Sequence, residues 1–144
     1  MRYIASVRAF CPFLPLSAAR DVGVLISEIH YHPVTSEDDE FLELFNNADE
    51  LIDLSGWSLS GGAIFTFPEG TILEPGAFLI VARDAARLAA IYEVEGIIGD
   101  YLGNLSNGRD VVTLRNAQGL LMERVAYDDD DPWPENPDGK GPSL

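Results

Sequence analysis

From Val22 onward, short apolar runs alternate with turn-forming clusters, a rhythm that predicts strands rather than helices. Val24–His30 is the first strand, with Leu25, Ser27 and Ile29 expected on one face and Val24, Ile26 and Glu28 on the other. His32-Pro33 closes it, because proline has no N–H to give a ladder. Phe41–Phe45 is the next, with Leu42 and Leu44 alternating against Phe41, Glu43 and Phe45. Shorter runs follow at Leu51–Leu54, Trp57–Leu59, Ile64–Phe67 and Thr71–Leu73, separated by Gly61-Gly62 and by Pro68-Glu69-Gly70. Glu74-Pro75-Gly76 suits a type II turn, with proline and glycine at its two central positions. Phe78–Ala82 is the most apolar run and is expected at the centre of a sheet. One helix breaks the pattern: Asp84 is a good N-cap, and the alanine-rich stretch to Tyr92 favours helix, with Leu88, Ile91 and Tyr92 as its buried stripe. Asp110–Arg115 and Leu120–Tyr127 then form a hairpin through Asn116–Gly119. The fold class is all-β, a sandwich or barrel with one short helix. Trp57 is expected to plug its core, and Trp133 to pack over one end.

With 144 residues, 47% of them hydrophobic, the chain can bury the core of one domain. No apolar run is long enough to be a membrane-spanning helix. Charge changes the picture more. There are 24 acidic residues against 9 basic ones, a formal net charge of −15. Arg2, Arg8 and Arg20 stand in the first twenty residues, where there is no acid, so the body is more acidic still. Such a surface repels phosphate backbones, and direct nucleic-acid binding is not expected. Residues 1–21 follow the outline of an export signal, with a basic start, an uncharged middle and the small residues Ser17, Ala18 and Ala19 at the end. Pro12 and Pro15 interrupt that middle, so an irregular leader is the alternative. Cys11 is the only cysteine, which leaves no internal disulfide and no thiolate metal cluster. The domain body is assigned to residues 22–144.

Sequence patterns of known catalysts are absent: no GxSxG elbow, HExxH helix, Walker loop or GxGxxG turn occurs. His30 and His32 would share one side of an extended strand near Glu28 and Asp38, but two ordinary histidines before a proline explain them as well. An EF-hand starting at Asp128 would need glycine at its sixth position and glutamate at its twelfth, where Trp133 and Gly139 stand. A looser calcium site remains, built from Asp128 and Asp130 with Glu40 and Glu43, and with Glu28 and Asp39 nearby. The simpler account of these carboxylates is a solvated surface, with no cofactor. Asn104-Leu105-Ser106 matches a glycosylation sequon and carries little weight.

Taken in order, the segments Ile26–Pro33, Asp39–Asn46, Asp53–Leu59, Phe65–Thr71, Leu73–Gly76, Phe78–Asp84, Leu105–Gly108 and Tyr127–Pro134 resemble the lamin tail domain as it occurs in bacterial secreted proteins. Each segment alone is weak, whereas the ordered set spans residue 22 to the terminus. The resemblance implies an immunoglobulin-like β-sandwich with a structural or adaptor role inside larger extracellular or cell-surface proteins. Its expected partners are proteins or neighbouring domains, and it transfers no catalytic residues. Two departures are Ser27 and His32, where the family commonly has asparagine. The family pattern also runs into a further strand beyond Leu144, so the domain is expected to lack its last strand. The competing expectation is a small metal-dependent hydrolase or calcium-binding domain that uses the acidic cluster.

Overall fold

The structure, a computed structural model, describes residues 23–128. The proposed leader 1–21 with Cys11, and also Asp130 and Trp133, lie outside the described residues. In chain order the elements are β1 (Val24–His30), a 3-10 turn (Glu37–Asp39), β2 (Phe41–Asn46), β3 (Ile52–Asp53), β4 (Ser58–Gly61), β5 (Ala63–Thr66), β6 (Ile72–Leu73) and β7 (Phe78–Ala82). After them come α1 (Ala85–Tyr92), β8 (Ile97–Ile98), β9 (Leu102–Gly103), β10 (Asp110–Arg115) and β11 (Leu121–Tyr127). They form a four-stranded sheet in the order β1-β2-β7-β8 and a five-stranded sheet in the order β11-β10-β4-β5-β9, with β3 and β6 as a separate pair. All pairings are antiparallel except β7 with β8, which α1 connects as a crossover.

Strand alternation builds the core between the sheets. Leu42, Leu44, Leu79 and Val81 point inward from one sheet, and Leu59, Ala63, Val112 and Leu114 from the other. Loop residues plug the ends, among them Leu54, Trp57, Phe67, Tyr101 and Leu105. The expected two faces of β1 need correction. The register against β2 shifts between Ile26 and Glu28, so Val24 and Ile29, of opposite parity, are both buried. An extra residue in a bulge reverses which side chains face the core beyond it. Gly61, at φ 101°, is required as glycine because a Cβ there would stand 1.8 Å from the Val111 carbonyl oxygen.

The helix starts where expected, its Asp84 carboxylate accepting from the Arg87 N–H at 2.9 Å. Its expected buried stripe is only partly right. Leu88 is fully buried, whereas Ile91 and Tyr92 remain 41% and 39% exposed. The reason is coverage. The helix closes a second small core over one end of the four-stranded sheet, with Leu88 against Phe41 and Ala82, while Tyr92 meets Phe41 only edge to face, with ring centroids 6.5 Å apart. At the opposite end Phe45 and Phe78 stack at 4.6 Å, with Phe78 more than half exposed.

Candidate functional site

The densest chemistry lies in the segment from Thr35 to Glu40, between β1 and β2. Ser36 starts the 3-10 turn by accepting from the Asp38 N–H at 3.2 Å, and the Asp39 N–H bonds the Ser36 carbonyl at 3.0 Å. That turn leaves Glu37 and Asp38 in water and sends Asp39 and Glu40 inward, where they are 2% and 0% exposed.

Asp39 meets α1. Arg87 donates from Nε to Oδ1 at 2.6 Å and from Nη2 to Oδ2 at 3.3 Å, and the Thr35 hydroxyl also donates to Oδ2. The Arg87 fork holds the Asp39 carboxyl below the usual carboxylate range. Glu40 meets the loop that carries Tyr101 and Leu105. Its Oε2 accepts from the Tyr101 hydroxyl at 2.9 Å and from the Leu105 N–H at 3.1 Å, with Arg83 Nη1 at 3.6 Å. Oε1 has no hydrogen-bond partner among the described residues. Burial pushes the Glu40 carboxyl above its ordinary value despite the donors that favour its charge. The same burial, with Glu40 beside it, raises Tyr101 far beyond an ordinary phenol. Arg83 ties the corner together, bonding Asn104 and lying 3.7 Å from both Glu37 and Asp38.

His30 packs above this corner, 8% exposed and stacked on Phe41 at 5.0 Å. Burial lowers its pKa, and the Asp39 carboxylate offsets this in part. A depressed folded pKa means that neutral His30 stabilises the fold above its unfolded value near 6.5, and that this contribution is lost as pH falls through the folded value. Asp39, also depressed, behaves likewise from about 3.8 downward, whereas raised Glu40 has the opposite slope. The unfolding midpoint of the wild type, minus that of His30→Gln, should therefore shrink between pH 7 and pH 5. A constant difference would show that His30 does not titrate with folding.

Among the described residues, Glu40, Glu43 and Asp128, three of the carboxylates considered for calcium, are engaged elsewhere. Glu40 and Glu43 have opposite parity along β2, so they point to opposite faces of the sheet. Glu43 accepts from the Ser27 hydroxyl at 2.7 Å, and Asp128 accepts from Arg109 Nε at 2.6 Å. Among the described residues no group of three or more His, Cys, Asp or Glu side chains is placed to hold a metal ion. That statement includes His30, His32, Glu28 and Asp39 but not Asp130. The buried ties themselves had no signature in the sequence, since Glu40 and Tyr101 lie 61 residues apart and Asp39 and Arg87 48 apart. Asn46 is a third such group. Fully buried, it donates to the Glu50 and Leu73 carbonyls at 2.8 and 2.9 Å and accepts from the Ala48 N–H at 2.9 Å.

The order of strands, the helix after β7 and the two buried acids ahead of β2 are the context for one comparison. A family model of the Lamin Tail Domain matches residues 17–129. The chain belongs to the Lamin Tail Domain family. The match takes in every strand and the helix, so the immunoglobulin-like sandwich expected from the resemblance is the fold of this chain. Lamin Tail Domains are a non-enzymatic, interaction-type family. None of the curated proteins matches the chain. Among the described residues of this Lamin Tail Domain no helix is long and apolar enough to cross a membrane.

Proposed function

We propose that this chain is a non-catalytic structural and interaction module that joins protein partners or neighbouring domains within a larger extracellular or cell-surface protein. In this reading residues 1–21 are a leader and residues from 22 onward form the module. The observation that carries it is how the buried polar groups are used. Asp39 is spent on Arg87, Glu40 on Tyr101 and Leu105, and Asn46 on three backbone groups. Each ties one loop or element to another. Catalysis needs positioned groups that converge on one reacting atom. The acid excess suits an exported domain that must stay soluble without disulfides, and it disfavours nucleic acid as a partner.

The test is turnover and ion response together. The purified chain, assayed against ester, phosphodiester and glycoside substrates with calcium, magnesium or zinc, should show no turnover. Turnover that Glu28→Gln, Glu40→Gln or Glu43→Gln abolishes would replace this reading with the hydrolase. Added sodium chloride should raise the melting temperature, because screening relieves the self-repulsion of a −15 chain. Millimolar calcium should do no more than sodium chloride of equal ionic strength. Extra stabilisation that disappears in Asp128→Asn or Asp130→Asn would establish the calcium-binding alternative.

A further inference from the structure

We propose that two copies of this chain pack together through the outer faces of their five-stranded sheets. Strand alternation opposite the buried Leu59, Ala63, Val112 and Leu114 defines that face, and none of its side chains is buried. Nothing among the described residues therefore covers it. Its middle is hydroxyl-rich, with Ser58 and Ser60 on β4, Thr66 on β5 and Thr113 on β10. Paired across β5 and β9 at one edge, Ile64 and Leu102 are 54% and 71% exposed. Arg115 and Arg124 mark the other edge, on β10 and β11.

Charge selects the occupant. No outward-facing position on these five strands bears a carboxylate, in a chain of net charge −15. Arg83, Arg87 and Arg109 each face an acid of their own chain. Arg115 bonds only the Gly119 carbonyl, and neither it nor Arg124 forms an ion pair among the described residues. Two such chains repel least when these faces meet, because no carboxylate of the described strands then lies across the contact from another. A two-fold axis along β4 lays the arginine edge of one copy over the Ile64–Leu102 edge of the other, so that like charges do not coincide. Size permits a modest interface. The strands of 7, 6, 4, 4 and 2 residues, at about 3.3 Å per residue and about 4.8 Å apart, project roughly 360 Å², below the roughly 800 Å² per partner of a standard contact. A weak, concentration-dependent dimer is expected.

The inference goes beyond the module reading, which turnover tests and self-association does not. Sedimentation velocity on the full chain, from about 5 µM to about 500 µM, should show the mass rising toward twice the monomer. The rise should be larger at about 0.15 M than at about 0.02 M sodium chloride, because net repulsion is screened. Leu102→Lys, which sets a like charge against the partner's arginine edge, and the milder Ile64→Ser should weaken dimerisation at least tenfold with unchanged melting temperature. Phe78→Glu, on the outer face of the other sheet, should have no effect. A monomer under every condition, a dimer that both edge variants retain, a dimer lost in Phe78→Glu, or association that salt weakens would each overturn the proposal. The last would indicate a separate acidic partner held by the arginines.

Discussion

Replacing Trp57 by alanine should destabilise the domain by about 3–5 kcal/mol, the usual loss when a buried large aromatic is removed. Trp57 is 8% exposed and lies in the main core cluster with Leu54, Leu59 and Phe67. It reaches the core from a turn rather than from a strand, and its backbone fixes it there. Its N–H bonds the Leu54 carbonyl and its carbonyl accepts from Phe67, both at 2.9 Å. Those bonds keep the turn from collapsing inward after the indole is gone, so a cavity persists and the upper part of the range applies. Against a total stability of about 5–15 kcal/mol for a domain of this kind, the loss is a large fraction. Chemical denaturation read by circular dichroism checks it. An unchanged midpoint would mean that the indole adds nothing to the core, and Trp57→Phe should fall between the two.

Much of this fold was legible because its local chemistry agrees with its tertiary structure. Pro75 and Gly76 predict a turn, and the Ala77 N–H does close it onto the Glu74 carbonyl at 3.0 Å, with Gly76 at φ 70°. Asp84 predicts a helix start and caps one. Leu42 and Leu44 predict an inward face and are fully buried. The failures are those of non-local causes. A bulge in β1 leaves no mark in a run whose residues all suit a strand, so its buried parity was misjudged. Ile91 and Tyr92 suit the buried stripe of an isolated amphipathic helix, but only Leu88 of the expected three enters the small core, and Tyr92 meets Phe41 edge to face. The acids were the least legible. Glu40 and Glu43 read alike along the chain, yet one is a buried tie to Tyr101 and the other a half-exposed partner of Ser27. Which acid goes inside depends on a loop some sixty residues away, and no spacing rule contains that.

Glu40→Ala should be the second most damaging change, at about 2–4 kcal/mol. Removing the carboxylate strands two buried donors, the Leu105 N–H and the Tyr101 hydroxyl, at about 1–3 kcal/mol each. A part returns, because the raised pKa shows that the ionised carboxylate is itself disfavoured where it stands. Raised pKa also sets the pH trend. The Glu40 contribution is complete below the ordinary value near 4.5 and is lost as pH rises through the folded value, so Glu40→Ala should be most harmful in mild acid. Glu40→Gln keeps the volume and one acceptor oxygen, so it should lose less than half as much and erase that pH trend. Tyr101→Phe removes one donor together with its need for a partner, and about 1 kcal/mol is expected. Each loss should be the same with and without millimolar calcium, because the groups around the Glu40 carboxylate are an N–H, a hydroxyl and a guanidinium rather than a metal ion. Unfolding curves of the three variants at pH 5 and pH 7 decide the matter. If Glu40→Ala leaves stability unchanged in plain buffer and removes a calcium-dependent gain instead, the carboxylate is a metal ligand and not a structural tie.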